Sequence, residues 1–177
     1  SNAHATPRGP RPRFPRQCSL TTAPPTLGMV SDPGADLDVL IQRVLTTYDT
    51  ITVVGASTHP EKPASYVPEH MQAHGWRIIP VNPYAATILG EPVYPTLADV
   101  PGHVGLVEVF RPSESTPDIA RQAVACGASA LWLQRGIASS EARTIAENAG
   151  LLYVEDRCML VEQRRLGLRA PTVDSQT

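Results

Sequence analysis

The chain has 177 residues, 42% of them hydrophobic, and a net charge of −2. That is enough for one domain with a real core, and no apolar run approaches the ~20 residues that a membrane helix needs. Four arginines (Arg8, Arg11, Arg13 and Arg16) and no acids precede residue 30, so the remainder carries 11 basic and 17 acidic side chains; an acidic body argues against nucleic acid as the main partner, though not against an anion held by local donors.

Ser1-Asn2-Ala3 resembles the remnant of a cleaved tag and carries no fold information. His4 to Gln17 is rich in proline and arginine and has no hydrophobic period. Residues 1–28 are therefore expected to form a mobile tail, unable to bury enough surface to offset its ordering entropy. Met29 is a natural start for the domain, expected over residues 29–170, with 171–177 as a C-terminal tail. No apolar segment follows the arginines, so a signal peptide is not expected. Cys18, Cys126 and Cys158 form no C-x-x-C pair and no even framework. This fits a reducing compartment and a cytoplasmic protein. Cys158 reads either as a buried structural cysteine or as a reactive thiol beside Arg157.

Asp36 to Tyr48 places Leu37, Leu40, Ile41, Val44 and Leu45 at helical spacing, with Asp36 as N-cap. Ile51 to Gly55 reads as a buried strand ending at glycine. Ala64 to His74 reads as a helix stopped by Gly75. Trp76 to Val81 is the second strand, ended by Asn82-Pro83. Residues 84–103 are irregular, with a short extended piece at Pro92–Tyr94 and a helical turn at Leu97–Val100. Val104 to Phe110 is the third main strand. Thr116 caps a helix with Pro117 in its first turn, ended by Gly127. Ser129 to Leu133 is the fourth strand, and Ser139 or Ser140 caps a helix running to Asn148. Leu151 to Val154 is the fifth strand, and Arg157 to Leu166 a closing helix.

Apolar strands alternate with helices five times, the pattern of a parallel sheet covered on both faces. The expected fold is α/β: a Rossmann-like, doubly wound, parallel five-stranded sheet with helices on both faces and strand order 3-2-1-4-5. Ligands of such sheets bind beyond the carboxyl ends of the strands, where the strand order reverses.

The loop Gly55 to Ser65 follows the first strand. Gly55 either lets backbone amides approach a phosphate or merely turns the chain. Lys62 is available as a point charge, and Ser57 and Ser65 as hydroxyl donors. Phe110 and Arg111, after the third strand, either flank a purine or serve as a core residue and a solvated charge. Gln134 is placed to face the site, whereas Trp132 packs in the core. The loop is not G-x-G-x-x-G, because Ser57 stands at the second glycine position. Asn82 stands where an acid would hold a ribose diol, which counts against NAD; no Walker-type loop is present either. His70 and His74, four apart on a helix, lack a following glutamate and a third ligand, so a surface and core pair is expected rather than a metal site. Glu108 lies inside a strand rather than at its end and is assigned no catalytic role.

Six segments occur in order: Val53-Val-Gly-Ala-Ser57, Ile79-Pro-Val-Asn-Pro83, Ile88-Leu-Gly90, Val109-Phe-Arg111, Leu131-Trp-Leu-Gln134-x-Gly136-Ile137 and Asp156-Arg-Cys158. Together they resemble the stand-alone CoA-binding proteins of the YccU-like type, over about residues 36–168. The fold is also similar to the N-terminal CoA-binding domain of the succinyl-CoA synthetase α subunit. The resemblance implies coenzyme A or an acyl-CoA as ligand. The loop Gly55, Ala56, Ser57, Lys62, Ser65 and the strand-two end at Asn82-Pro83 would hold the phosphate-bearing half. Val81, Asn82, Phe110, Arg111 and Gln134 would line the nucleotide cleft. Many relatives have arginine where this chain has Lys62, which exchanges a bidentate fork for a point charge. A basic residue often follows the strand-two proline in relatives, and here Tyr84-Ala85-Ala86 follows.

The expected role is a binding or regulatory module, compatible with a protein partner or a homo-oligomer, rather than an enzyme. The larger synthetases use a second domain bearing a phosphorylated histidine, and no such domain is expected here. A partner-dependent acyl-CoA ligase or transferase subunit is the alternative, and an NAD-binding redox sensor the third reading.

Overall fold

The structure, a computed structural model, describes residues 33–172. The expected tail over 1–28, Cys18 and residues 173–177 lie outside the described residues. The first helix, α1 (Pro33–Thr47), begins three residues earlier than its apolar spacing suggests. A proline in the first turn needs no N–H donor, and Asp36 sits in that first turn rather than at the cap. Then follow β1 (Thr50–Val54), α2 (Pro63–Ala73), β2 (Arg77–Val81), β3 (Thr87–Ile88), β4 (Glu91–Pro92), β5 (Leu106–Val109), α3 (Thr116–Ala125), β6 (Ala130–Leu133), α4 (Ser140–Asn148), β7 (Leu152–Val154) and α5 (Met159–Leu166).

The main sheet is parallel throughout, with order β2-β1-β5-β6-β7. This corrects the expected topology: the third main strand, β5, pairs with β1 and not with β2. The free side of β2 is taken by Tyr94, whose N–H donates to the Pro80 carbonyl at 3.1 Å and whose carbonyl accepts from Asn82 N–H at 3.0 Å. With that edge closed, the chain returns across to the far side of β1. The reversal of strand order therefore falls between β1 and β5, where a ligand crevice opens.

Both faces of the sheet are covered. Ile41, Val44 and Leu45 of α1, Val67 and Met71 of α2 and Met159 of α5 pack on Ile51, Val53, Leu106 and Trp132. Ile119, Ala120 and Ala123 of α3 and Ala142 and Ala146 of α4 pack on Val107, Val109, Leu131 and Leu133 of the other face. The two tryptophans are buried with their polar edges satisfied, as such rings require: Trp76 Nε1 donates to the Tyr48 carbonyl (2.9 Å) and Trp132 Nε1 to the Arg157 carbonyl (2.8 Å). Ser139 caps α4 through its hydroxyl, which accepts from Ala142 N–H at 3.1 Å. The β3–β4 hairpin has two-residue strands, too short for a periodic signal, and turns through Leu89 and Gly90, both at positive φ.

Pro68 lies inside α2. A proline there cannot donate to the carbonyl four residues back, which leaves Ala64 C=O without its helical partner. The Ser57 N–H supplies it at 3.0 Å. The helix deficit thus pins the loop that follows β1.

Candidate functional site

The crevice between the ends of β1 and β5 is built on Gly55. Its N–H donates to the Val81 carbonyl (3.0 Å) while Phe110 N–H donates to the Val54 carbonyl (2.9 Å), so three strand ends meet there. Gly55 has φ +84°, and a methyl group at its Cα would meet Arg111 Cδ at 3.0 Å and the Phe110 carbonyl at 3.3 Å. The absent side chain lets the Arg111 stem cross directly over the turn. A left-handed residue with a Cβ costs roughly 1–2 kcal/mol. Gly55→Ala is expected to lower unfolding stability by about that amount in urea titration, with an unchanged midpoint showing that the turn relaxes freely.

Several sequence-predicted residues come together here. Gly55, Ala56, Ser57, Lys62, Asn82, Phe110 and Arg111 line one cavity of about 530 Å³. Val81 and Pro83 line an adjoining cavity of about 480 Å³ that shares Gly55, Asn82 and Arg111 with the first. Gln134 lines a third, of about 610 Å³, which touches the first through Lys62, Ala64 and Phe110. Ser65 is buried in the first turn of α2 and is not among the residues lining these cavities.

Most of the loop's polar groups hold the loop itself. Ser57 Oγ accepts from His59 N–H (3.1 Å), and Lys62 N–H donates to the His59 carbonyl (3.0 Å). Asn82 is a brace between loops: its Nδ2 donates to the Ala56 carbonyl (2.8 Å), and its Oδ1 accepts from Tyr84 N–H (2.7 Å) and Ala85 N–H (3.2 Å). The residue standing where an acid would bind a ribose diol is thus committed to the protein. Lys62 and Arg111 are exposed, and among the described residues neither has a carboxylate within ion-pair distance. Two unpaired cations flanking a concave site in an acidic body make it a local attractor for anions.

Tyr84 and Glu108 carry more than sequence reasoning assigned them. Tyr84 is 96% exposed and lines both cavities beside Arg111; its place directly after Asn82-Pro83 was the available signal. Glu108 is fully buried in β5, and burial pushes its carboxyl up to about 8, opposed by the hydrogen bond from Gln134. Gln134 Nε2 donates to Glu108 Oε1, and Oε2 has no partner among the described residues. His70 and His74 stack with ring centroids 4.1 Å apart; His70 Nε2 donates to Gln163 Oε1 (2.6 Å) and His74 Nδ1 to the His70 carbonyl (2.7 Å). Among the described residues no group of three or more His, Cys, Asp or Glu is arranged to hold a metal, and no helix is long and apolar enough to cross a membrane.

Comparison with known proteins identifies the family of the fold. The family model described as a CoA binding domain matches residues 49–164, from the start of β1 into α5. The chain belongs to this CoA-binding domain family. This CoA-binding domain is similar to the protein YneT of Bacillus subtilis (strain 168), at 33% identity over 121 residues, covering 68% of this chain and 90% of YneT. It is also similar to the solved structure of a Pyrococcus horikoshii OT3 protein, with a TM-score of 0.71 and 37% identity over 74% of this chain and 92% of that one. A Thermus thermophilus structure, cell-free ID.343, matches with a TM-score of 0.69 and 35% identity over 73% of this chain and 98% of its own.

Proposed function

We propose that the protein binds coenzyme A, or an acyl-CoA, in the crevice between β1 and β5 and acts as a binding or regulatory module. The observation that carries this reading is the cavity at the strand-order reversal, flanked by Lys62 and Arg111 with no carboxylate partner among the described residues. Membership of the CoA-binding domain family supports it. In this reading the Arg111 guanidinium and the Lys62 ammonium meet the phosphates by charge-assisted hydrogen bonds. Ala56 and Thr58, whose amides have no partner among the described residues, add donors beside them. The exposed Tyr84 ring offers a face for the adenine, since a base stacks on any aromatic side chain. Residence in the cytoplasm, where thiols stay reduced, belongs to the same reading.

A nicotinamide dinucleotide fits this crevice less well. Ser57 replaces the second glycine of the fingerprint, and Asn82 presents no carboxylate to a ribose diol. Isothermal titration of the protein with CoA, dephospho-CoA and NAD tests the assignment. Micromolar CoA binding is expected, with weaker binding of dephospho-CoA and none of NAD. Absence of heat with CoA, on protein shown by mass spectrometry to carry none, overturns it.

A further inference from the structure

The third cavity lies beside the first and differs from it in character. Phe110, Ile137, Cys158 and Leu160 give it an apolar wall, and Lys62 stands where the two cavities meet. Gln134 is its one buried polar side chain, at the carboxyl end of β6. A primary amide has two donors and an acceptor. Among the described residues only one of these is used on the Gln134 side chain, the Nε2 donor to Glu108. Its Oε1 has no partner among the described residues and is not sealed in the core, because the sealed, unpartnered side-chain atom is Glu108 Oε2 alone. A buried carboxyl with one oxygen unpartnered is costly to keep. The residues paired with Glu108 in the neighbouring strands, Val53 and Trp132, do not repay that cost. What Glu108 does accomplish is to fix the Gln134 amide.

We propose that Glu108 is a positioning residue that holds Gln134 so that its remaining amide group receives a secondary amide of the CoA thiol arm in the cavity between α2 and α5. The proposal rests on the CoA reading of the neighbouring crevice. The thiol arm alternates short apolar segments with two secondary amides, which suits an apolar wall carrying one oriented amide. Each secondary amide offers both an N–H and a C=O, so either end of the Gln134 side chain finds a partner.

The test compares CoA with 3′,5′-ADP, which keeps the nucleotide and lacks the arm, by isothermal titration of the full chain. Wild-type protein is expected to bind CoA more tightly than 3′,5′-ADP. Gln134→Leu is expected to weaken CoA by about tenfold, the scale of one buried hydrogen bond, and to leave 3′,5′-ADP unchanged. Glu108→Met should do the same, and Glu108→Gln, which still accepts from the Gln134 amide, should restore most of the loss. Equal affinity of wild type for the two ligands overturns the arm site while leaving the CoA crevice standing. So does an equal loss for both ligands in Gln134→Leu, or no loss for either, because a merely structural role would not separate them. Should Glu108→Met fail to fold, Gln134→Leu with Glu108→Gln decides the matter: a loss in the first without one in the second supports the proposal, and CoA affinity unchanged in the first overturns it. Failure of wild type to bind either ligand removes the CoA reading and the arm site together.

Discussion

Arg111→Glu is expected to weaken CoA binding by about a hundredfold or more, while far-UV circular dichroism and the melting curve stay close to wild type. The side chain is exposed, makes no ion pair or side-chain hydrogen bond among the described residues and borders two adjoining cavities, so its replacement breaks no polar contact there and leaves only the stem's packing over Gly55 to adjust. A hydrogen bond to a charged group is worth roughly 1.5–3 kcal/mol, and reversal adds repulsion against several phosphate charges in one crevice. Lys62→Ala should cost less, about tenfold, because a point charge on a flexible stem contributes fewer oriented bonds. Both effects should shrink as salt is raised, since exposed charges are screened. Titration at low and high ionic strength reads this directly, and an unchanged affinity in Arg111→Glu would mean that the anion sits elsewhere.

The second large effect concerns stability. Glu108 is fully buried and its carboxyl is pushed up to about 8, chiefly by burial, from the ordinary value of 4.5. Between about pH 5 and 8 the folded protein holds a proton that the unfolded chain has released. Stability is therefore complete below the unfolded value and declines as pH rises through about 8, the reverse of the usual behaviour of a salt-bridged acid. Each pKa unit corresponds to about 1.4 kcal/mol, so the decline should reach a few kcal/mol. Glu108→Gln keeps shape and hydrogen bonding without a titrating proton. It should flatten the profile and be more stable than wild type above pH 8, as read by urea denaturation across that range. A wild-type profile already flat between pH 5 and 8 would show that the carboxyl is ionised in the folded state.

Much of the fold could be read from the residues because its signals are local. Apolar strands, glycines after helices and the Ser139 cap each act within a few positions, and the structure places them within one to three residues of expectation. Strand order is a long-range property, and there the reading failed. A signal existed nevertheless: Pro80 sits inside β2 and has no N–H for a ladder, which confines a strand to an edge. The expected order would have buried β2 between two neighbours, whereas the observed order leaves it at the end of the sheet. The loop residues around Gly55 were legible from their place after an apolar strand. The pairing of Glu108 with Gln134 was not, because it joins residues 26 positions apart across two adjacent strands. A lone glutamate in a strand pattern gives no hint of which neighbour will satisfy it. Asn82 was read as a cleft-lining residue standing where an acid would hold a ribose diol, and no local signal reveals that its amide ties one loop to another.

The bond from Ser57 N–H to the Ala64 carbonyl joins two main-chain groups and depends on a side chain only through the proline that vacates the acceptor. Thr58, His59, Pro60 and Glu61 between those points can therefore be exchanged without loosening the anchor at either end. Ligand preference and loop attachment are separable traits in this domain. Divergence can rewrite Thr58 and His59 on the crevice rim while the fold continues to present those positions at the same place.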